Sequence, residues 1–186
     1  AGEELVKSFH DELKNLNYSI LRYFNTYGPY QVAQFVIPKF IRNIMNNKSP
    51  IIYGDGNQLR SYNFSEDTAR GTVDALSTNK TNNKILNIGN SNELINLKDL
   101  AELIIQLCGK KDKVDIKIKN SFKQADRDSS REIYERFCST KLAKRLINYE
   151  PKFNLKKGLQ KVIETGVYPP NWATSEKDYT IDDSIN

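Results

Sequence analysis

Arg60 is the residue of this chain best suited to bind an anion. It follows the glycine-rich turn Gly54-Asp55-Gly56. A guanidinium presents a planar fork of N–H donors that matches the oxygens of a phosphate group. An exposed arginine without a ligand is the alternative, and the residue type alone leaves both interpretations open.

Asn25 is a second candidate for ligand binding. It follows a predicted strand and precedes the tight turn Tyr27-Gly28-Pro29. A carboxamide at this place can both donate and accept hydrogen bonds at the mouth of a pocket. The residues alone favour the alternative, in which the asparagine caps the turn.

Other groups that could do chemistry have simpler explanations. His10 lies on the polar side of a predicted helix, with no evident partner nearby in sequence. Cys108 and Cys138 lack metal-ligand spacing, and we expect two buried thiols. Asp126 and Asp128 have a spacing too common to indicate a metal, so no metal site is predicted.

Composition indicates a globular protein of one domain. The chain has 186 residues, 38% of them hydrophobic, which argues against disorder. It contains no apolar run near the roughly 18 residues of a membrane helix and no signal-peptide pattern. The net charge is +5, but the lysines are spread along the chain among acidic residues. We therefore predict a cytoplasmic protein that binds neither nucleic acid nor membrane.

The hydrophobic pattern predicts a mixed α/β fold. Helices are expected over 3–16 and 36–45, after 65–67 as far as about 76, and over 97–107, 140–146 and 155–165. Strands are expected over 18–24, 50–53, 62–64, 84–88 and 114–118. Leu5, Phe9, Leu13 and Leu16 recur at helical spacing, so we expect them to face a packed neighbour and the following strand to be buried. Ser65 is the expected N-cap of the third helix.

Six short motifs occur in an order that resembles one protein family. They are LRYFNTYGP at 21–29, IPKFI at 37–41, PIIYGDGNQLR at 50–60, NIG at 87–89, a segment from STK to YEP at 139–151, and GL at 158–159. The chain resembles the extended short-chain dehydrogenase/reductases that act on nucleotide sugars, the NAD-dependent epimerases and dehydratases. The shared order of the motifs carries the resemblance.

The resemblance implies a role for each of five polar or aromatic residues. Asn25 would contact the sugar nucleotide, and Arg60 would bind its diphosphate. Arg127 resembles a second diphosphate ligand, with Arg131 as the alternate candidate because this loop can be aligned with a slip. Tyr23 resembles the residue beside the nicotinamide of the cofactor, and a strand aromatic in the core is the alternative.

Four further residues would surround the nucleotide. Ile51 and Tyr53 alternate on a predicted strand, so their side chains share a face. They resemble the pair that flanks the base, although core packing explains Ile51 equally well. Phe35 and Val36 occupy the stretch whose backbone contacts the nucleotide. Several family members have a polar residue in place of Phe35, so only backbone contacts are expected there.

The resemblance also implies that the cofactor-binding half is missing. None of the nine glycines forms the G-x-G-x-x-G turn that a dinucleotide pyrophosphate requires. The family uses Tyr-x-x-x-Lys, in which the lysine lowers the pKa of the tyrosine, and no tyrosine here has a lysine four residues later. Ala1-Gly2-Glu3 resembles the segment just after that lysine. No catalytic residue is therefore predicted.

These inferences combine into one expectation. The fold would be a small mixed α/β substrate-binding domain, with the last strand and helices of a truncated Rossmann-type domain. Residues 1–30 would be the Rossmann remnant, 31–168 the substrate-binding region and 169–186 an irregular tail. The parent protein would be a homodimeric NAD-dependent epimerase or 4,6-dehydratase of a nucleotide-diphosphate sugar, and this chain alone would be inactive. The alternative is a non-catalytic nucleotide-sugar binding module that pairs with a separate NAD-binding half.

Overall fold

A computed structural model of the chain describes residues 1–119 and 133–166. Within them, helices and strands alternate, as the hydrophobic pattern predicts. The helices are α1 (Gly2–Glu12), α2 (Val36–Met45), α3 (Ser65–Leu76), α4 (Leu97–Leu107), α5 (Lys141–Ile147) and α6 (Leu155–Thr165). The strands are β1 (Ser19–Tyr23), β2 (Thr26–Tyr27), β3 (Ile51–Tyr53), β4 (Leu59–Arg60), β5 (Asn63–Phe64), β6 (Lys84–Ile88), β7 (Lys117–Lys119) and β8 (Glu135–Arg136). The predicted mixed α/β class is confirmed.

The chain forms two compact units, each assembled from three separate segments. The first unit comprises Ala1–Thr26, Ser61–Leu94 and Phe137–Asn154. The second unit comprises the described parts of Tyr27–Arg60, Ile95–Arg136 and Leu155–Asn186. The predicted boundaries at residues 30 and 168 stay predictions.

A parallel strand pair forms the centre of the first unit. β1 and β6 run in register from Ser19 opposite Lys84 to Tyr23 opposite Ile88. Helix α3 contacts both strands, and α5 packs on β6. The buried cluster between these elements consists of Leu86, Ile88, Ala143 and Tyr149, with Leu21, Leu146 and Ile147 packed against it.

Tyr149 is the largest side chain of this cluster, and it requires a glycine on the facing helix. Its relative exposure is 0%. A Cβ atom added to Gly71 of α3 would lie 2.8 Å from both Cδ2 and Cε2 of the ring, and 3.2 Å from Ile88 Cγ2. Because a ring packed between elements cannot retreat, the close approach of α3 depends on the missing Cβ.

A buried carboxylate attaches the segment after α5 to α3. Asp67 is 1% exposed. Its oxygens accept hydrogen bonds from the backbone N–H groups of Lys152 at 3.0 Å and Phe153 at 2.9 Å. The Arg70 guanidinium donates to Asp67 Oδ1 at 2.6 Å and to the carbonyl of Glu150 at 2.6 Å. The carboxylate is therefore compensated, as a buried charge must be.

The second unit joins two short parallel pairs to three helices. β3 pairs with β7 and β4 pairs with β8. Helix α4 contacts α2 and α6. Its N-terminus is capped by Asn96 Oδ1, which accepts from Asp99 N–H at 2.8 Å. The buried apolar side chains of these elements include Ile37, Phe40, Ile41, Ile44, Ile52, Leu100, Ile104 and Leu159.

The expected burial of α1 and β1 is wrong for the described residues. Leu5, Phe9, Leu13 and Leu16 are 40–59% exposed. The helix ends at Glu12, four residues earlier than predicted, and His10 Nδ1 lies 2.5 Å from the carbonyl oxygen of Leu16. β1 has three half-buried residues and two exposed ones. Amphipathic spacing predicts a helix correctly, but burial also needs a neighbour, and none of the described elements covers this apolar face.

Smaller differences concern the ends of elements. Ser65 is the first residue of α3 and not its N-cap, because Phe64 holds the extended backbone of the cap position. The strand predicted at 114–118 is β7, which begins three residues later and ends one residue later. The two-residue strands β2, β4 and β8 have no counterpart among the predicted strands. The segment 120–131, which contains Arg127 and Arg131, and the tail after 168 lie outside the described residues.

Replacing Gly71 by alanine should destabilise the chain by about 1–3 kcal/mol, through collision with the Tyr149 ring. Helix propensity alone predicts the opposite, a gain of about 1 kcal/mol. Denaturant unfolding followed by circular dichroism measures the sign. Gly2→Ala is the matched control, because no atom lies within 4 Å of its added Cβ. A more stable Gly71→Ala variant would contradict the packing described above.

Replacing Asp67 by asparagine should cost about 2–4 kcal/mol, because an amide NH2 would face N–H donors in a buried place. Asp74→Asn on the same helix is the control. Its side chain is 40% exposed and lies 3.8 Å from Arg70, so the change should cost less than about 1 kcal/mol. Equal unfolding midpoints for the two variants would rule out the anchoring role of Asp67.

Candidate functional site

Two of the candidate residues lie at the carboxyl edge of the β1–β6 pair. β1 ends at Tyr23, and Asn25 follows two residues later. The two strands are parallel, so their carboxyl ends meet at one edge. In open parallel sheets of α/β proteins, ligands bind outside this edge. The first unit therefore places Tyr23 and Asn25 where a ligand is expected.

Asn25 is held in one orientation by its neighbours. Its backbone has a positive φ of 40°, a region that asparagine tolerates better than most residues. Its Nδ2 donates to the carbonyl of Ser61 at 2.8 Å, and its own carbonyl accepts from Asn63 N–H at 3.2 Å. This side-chain bond reaches a segment 36 positions away and so differs from the local turn cap that the residues alone favour. Because a carboxamide has two N–H groups and an oxygen, one N–H and Oδ1 are left to face a ligand.

Tyr23 is not a core aromatic. Its side chain is 51% exposed, and its hydroxyl lies 2.9 Å from Thr72 Oγ1 of α3. This contact fixes the direction of the ring and leaves part of its surface open. The geometry is compatible with a ring that lies beside a ligand.

The second unit places the other described candidates. Ile51 and Tyr53 are half-buried, whereas Ile52 between them is 1% exposed. This alternation agrees with the expectation that Ile51 and Tyr53 share a face. Phe35 is 50% exposed and immediately precedes α2, and Val36 is the first residue of that helix. The first amides of a helix have no intrahelical acceptor, so backbone contacts to a ligand are possible at Val36.

Arg60 is buried and not an exposed surface arginine. Its relative exposure is 8%. Its Nη1 donates to the carbonyls of Leu59 at 2.8 Å and Tyr134 at 3.2 Å. Its backbone N–H and carbonyl both bond to Ile95, at 3.0 and 2.9 Å. The guanidinium is therefore held in place on β4 before any ligand arrives, which reduces the entropy that binding would cost.

Gln58 is a residue of this region to which the sequence reasoning assigned no role. It is 1% exposed, and its Nε2 donates to the carbonyl of Tyr53 at 3.3 Å. Its Oε1 is buried without a hydrogen-bond partner in the described part of the chain. An unsatisfied buried acceptor is uncommon and marks a place where a water or a ligand donor would be stabilised. The available signal was its position two residues before Arg60.

The remaining reactive groups are placed as structural residues. Cys138 is buried, and this burial raises the pKa of its thiol to about 11. Cys108 is only half-buried, and burial raises its pKa as well. Both thiols are protonated at neutral pH and are therefore poor nucleophiles. Among residues 1–119 and 133–166, no three His, Cys, Asp or Glu side chains are grouped to hold a metal.

Two of the predicted diphosphate ligands cannot be located. Arg127 and Arg131 lie outside the described residues. The other candidates are divided between the units. Tyr23 and Asn25 belong to the first, and the second contains Phe35, Val36, Ile51, Tyr53 and Arg60. In the same described ranges, no helix has the length and apolar character needed to cross a membrane.

Comparison with known proteins identifies related enzymes. Residues 1–89 match the model of a family described as the NAD dependent epimerase/dehydratase family. A UDP-glucuronate 4-epimerase of Thermodesulfobacterium geofontis is 31% identical over 162 residues, which are 87% of this chain and 47% of the relative. A dTDP-D-glucose 4,6-dehydratase of Bos taurus is 31% identical over 180 residues, 95% of this chain and 48% of the relative.

Solved structures agree with these relatives. The crystal structure of UDP-glucuronic acid 4-epimerase from Bacillus cereus, in complex with UDP-glucuronic acid and NAD, matches with a TM-score of 0.75 and 27% identity. The match covers 88% of this chain and 49% of that chain. The chain thus spans about half the length of the curated relatives and solved structures that it matches.

Proposed function

This chain belongs to the NAD dependent epimerase/dehydratase family, and from this premise we propose that it is the substrate-binding part of a nucleotide-sugar epimerase or 4,6-dehydratase. Its task would be to hold the diphosphate sugar so that C4 can be oxidised by hydride transfer. The relatives named above act on UDP and dTDP sugars. A nucleotide-diphosphate sugar is accordingly the proposed ligand.

The position of Asn25 carries this proposal. It lies beyond the carboxyl end of a parallel strand. Its side-chain amide is already oriented by the bond to Ser61, and its backbone carbonyl accepts from Asn63 N–H. A preoriented amide loses little freedom on binding, so its remaining N–H and oxygen can bond to a sugar nucleotide at low entropic cost. The same position in an open α/β sheet is the usual place for a nucleotide ligand.

The guanidinium of Arg60 is the second feature that supports the proposed function. A nucleotide sugar has two adjacent phosphates, and a guanidinium forms charge-assisted bonds to such oxygens. The carbonyls of Leu59 and Tyr134 accept from the Arg60 guanidinium and hold it in place. In the proposed function, Arg127 or Arg131 would supply a second cation to the same diphosphate.

The residues present fit NAD only in part. Tyr23, with its half-exposed ring, is the one candidate for a cofactor contact. The chain has no G-x-G-x-x-G turn and no Tyr-x-x-x-Lys, so it offers neither a pyrophosphate cradle nor the tyrosine acid/base of the family. We therefore derive no step of hydride transfer from this chain, and assign to it the binding and orientation of the substrate.

A second candidate function is a non-catalytic binding subunit that pairs with a separate NAD-binding half. The exposed apolar face of α1 favours it, because Leu5, Phe9 and Leu13 are 47–59% exposed. Contiguous apolar surface of this kind is typical of contact sites. Both candidates share the same nucleotide-sugar site and differ in whether the missing chemistry is supplied by a second polypeptide.

Replacing Arg60 by alanine should weaken the binding of UDP-glucose or dTDP-glucose by roughly ten- to a hundredfold. A hydrogen bond to a charged group contributes about 1.5–3 kcal/mol, and about 1.4 kcal/mol corresponds to one decade in affinity. Arg60→Lys should recover only part of the loss, because the planar fork is absent. Titration calorimetry at two salt concentrations measures both effects, and higher salt should weaken binding by the unsubstituted chain.

Lys111→Ala is the control for Arg60, because this lysine is exposed in a charged turn and should not affect binding. Thermal unfolding of each variant separates lost affinity from lost folding, which matters because Arg60 is buried. If a folded Arg60→Ala variant binds as tightly as the unsubstituted chain, Arg60 is not part of the site.

The purified chain should give no turnover with NAD and a nucleotide sugar, because the family's acid/base pair is absent from its sequence. Product formation can be followed by NMR of the sugar anomeric protons. Epimerase or dehydratase activity in a preparation free of other enzymes would contradict the proposed division of labour.

A further inference from the structure

A network of buried hydrogen bonds runs through the first unit and ends at the turn that contains Asn25. The Tyr149 hydroxyl donates to Asn63 Oδ1 at 3.2 Å. Asn63 Nδ2 donates to Thr68 Oγ1 at 2.7 Å, and Thr68 Oγ1 lies 3.1 Å from Thr26 Oγ1. Tyr149 and Asn63 are 0% exposed and Thr68 is 8% exposed. These three side chains are removed from water, so their polar atoms need one another as hydrogen-bond partners.

The Thr68 oxygen is the point at which the bonds of the network meet. It accepts from Asn63 Nδ2 at 2.7 Å, and its hydroxyl lies 3.4 Å from the carbonyl of Phe64. In its bond with the Thr26 hydroxyl, either oxygen can be the donor. Burial raises the pKa of Tyr149 to about 12, so its hydroxyl keeps its proton. Tyr149 therefore donates to Asn63, and the Asn63 amide donates in turn to Thr68.

Three hydrogen bonds connect residues 61–68 to the turn formed by Asn25 and Thr26. Asn63 N–H donates to the carbonyl of Asn25 at 3.2 Å, and Asn25 Nδ2 donates to the carbonyl of Ser61 at 2.8 Å. The Thr26 and Thr68 hydroxyls share a hydrogen bond one residue further on, at 3.1 Å. Both residues of the turn are therefore bonded to the segment 61–68, and the Asn63 side chain holds that segment from inside.

We propose that Asn63, Thr68 and Tyr149 are positioning residues, which hold the Asn25 carboxamide in the orientation that binds a nucleotide sugar. This inference rests on the proposed function of Asn25, and it adds residues that do not touch the ligand. A polar network in a low-dielectric interior is stable in few arrangements, because each unmet bond is costly. An apolar cluster of the same shape would tolerate small shifts of segment 61–68, and the amide would then lose its direction.

The two substitutions of Thr68 separate positioning from packing. Thr68→Val keeps the shape of the side chain and removes the acceptor, whereas Thr68→Ser keeps the hydroxyl and removes a methyl group. If Thr68 acts through its hydroxyl, Thr68→Val should weaken UDP-glucose binding by about five- to tenfold, the effect of one lost hydrogen bond. Thr68→Ser should bind within about twofold of the unsubstituted chain. A residue that only fills space would show the reverse order, because the lost methyl group would matter more.

The side-chain amide of Asn25 provides a readout that does not depend on the ligand. In a ¹H–¹⁵N NMR spectrum of the free chain, the N–H bonded to Ser61 should exchange slowly with solvent. Thr68→Val should increase that exchange rate by about five- to tenfold, and Thr68→Ser should leave it nearly unchanged. Tyr149→Phe, which removes only the hydroxyl, should shift the same signal in the same direction and provides a second variant if Thr68→Val does not fold.

Thr81→Val is the matched control. Thr81 is a buried threonine of the same unit, and its Oγ1 donates to the carbonyl of Ala75 at 2.8 Å. This change should lower the unfolding midpoint without altering the Asn25 amide. Unchanged Asn25 signals in both Thr68→Val and Tyr149→Phe would overturn the inference, as would equal loss of affinity in Thr68→Val and Thr68→Ser.

Asn25→Ala distinguishes failure of this inference from failure of the proposed function. If this variant binds UDP-glucose as tightly as the unsubstituted chain, Asn25 is not a ligand and the functional premise is wrong. The NMR comparison of the Thr68 variants still decides whether the network orients the amide. If Asn25→Ala weakens binding and the Thr68 variants do not differ, the premise stands and the positioning role is wrong.

Discussion

The burial of the Tyr149 ring is the constraint on which the first unit depends. The ring fits only because Gly71 has no Cβ, and it packs in one cluster with Leu86 and Ile88 of β6. Its hydroxyl bonds to Asn63, so the same side chain fixes an apolar core and a polar network. Such a residue couples packing to hydrogen bonding, because the ring cannot move without breaking the bond.

The buried carboxylate beside this core is compensated, whereas the buried Ser61 Oγ has no hydrogen-bond partner in the described part of the chain. Asp67 accepts from two backbone amides and a guanidinium, and Arg70 also lies with its Cζ 5.6 Å from the centre of the Tyr149 ring. These contacts attach the segment after α5 to α3 and use no ligand. In the described part of the second unit, Gln58 Oε1 is buried and has no hydrogen-bond partner. Interiors keep few such groups, and those that persist usually lie where a water or a ligand completes the structure.

The local sequence pattern predicts where the helices begin and end, whereas tertiary contacts decide which of their faces are buried. The bounds of α2, α4 and α6 follow from apolar spacing and end signals, which depend on neighbours a few residues away. The helical character of α1 follows in the same way, but its burial does not. Leu5 and Phe9 have the spacing of a core face and are exposed, because a face is buried only when another element packs on it. The strand β8, with two residues, is too short to carry any periodic signal.

The sequence by itself determined the family, the α/β class and the candidates Arg60 and Asn25, because ordered motifs and local periodicity are properties of the chain. It also contains no G-x-G-x-x-G turn. Only the tertiary structure decided that Arg60 is buried against backbone carbonyls, that Asn25 is oriented by Ser61, and that Tyr149 bonds to Asn63. The partners in these contacts lie 74, 36 and 86 positions apart in sequence. No local pattern encodes such pairs, because the hydrogen bonds form only after distant segments have packed together.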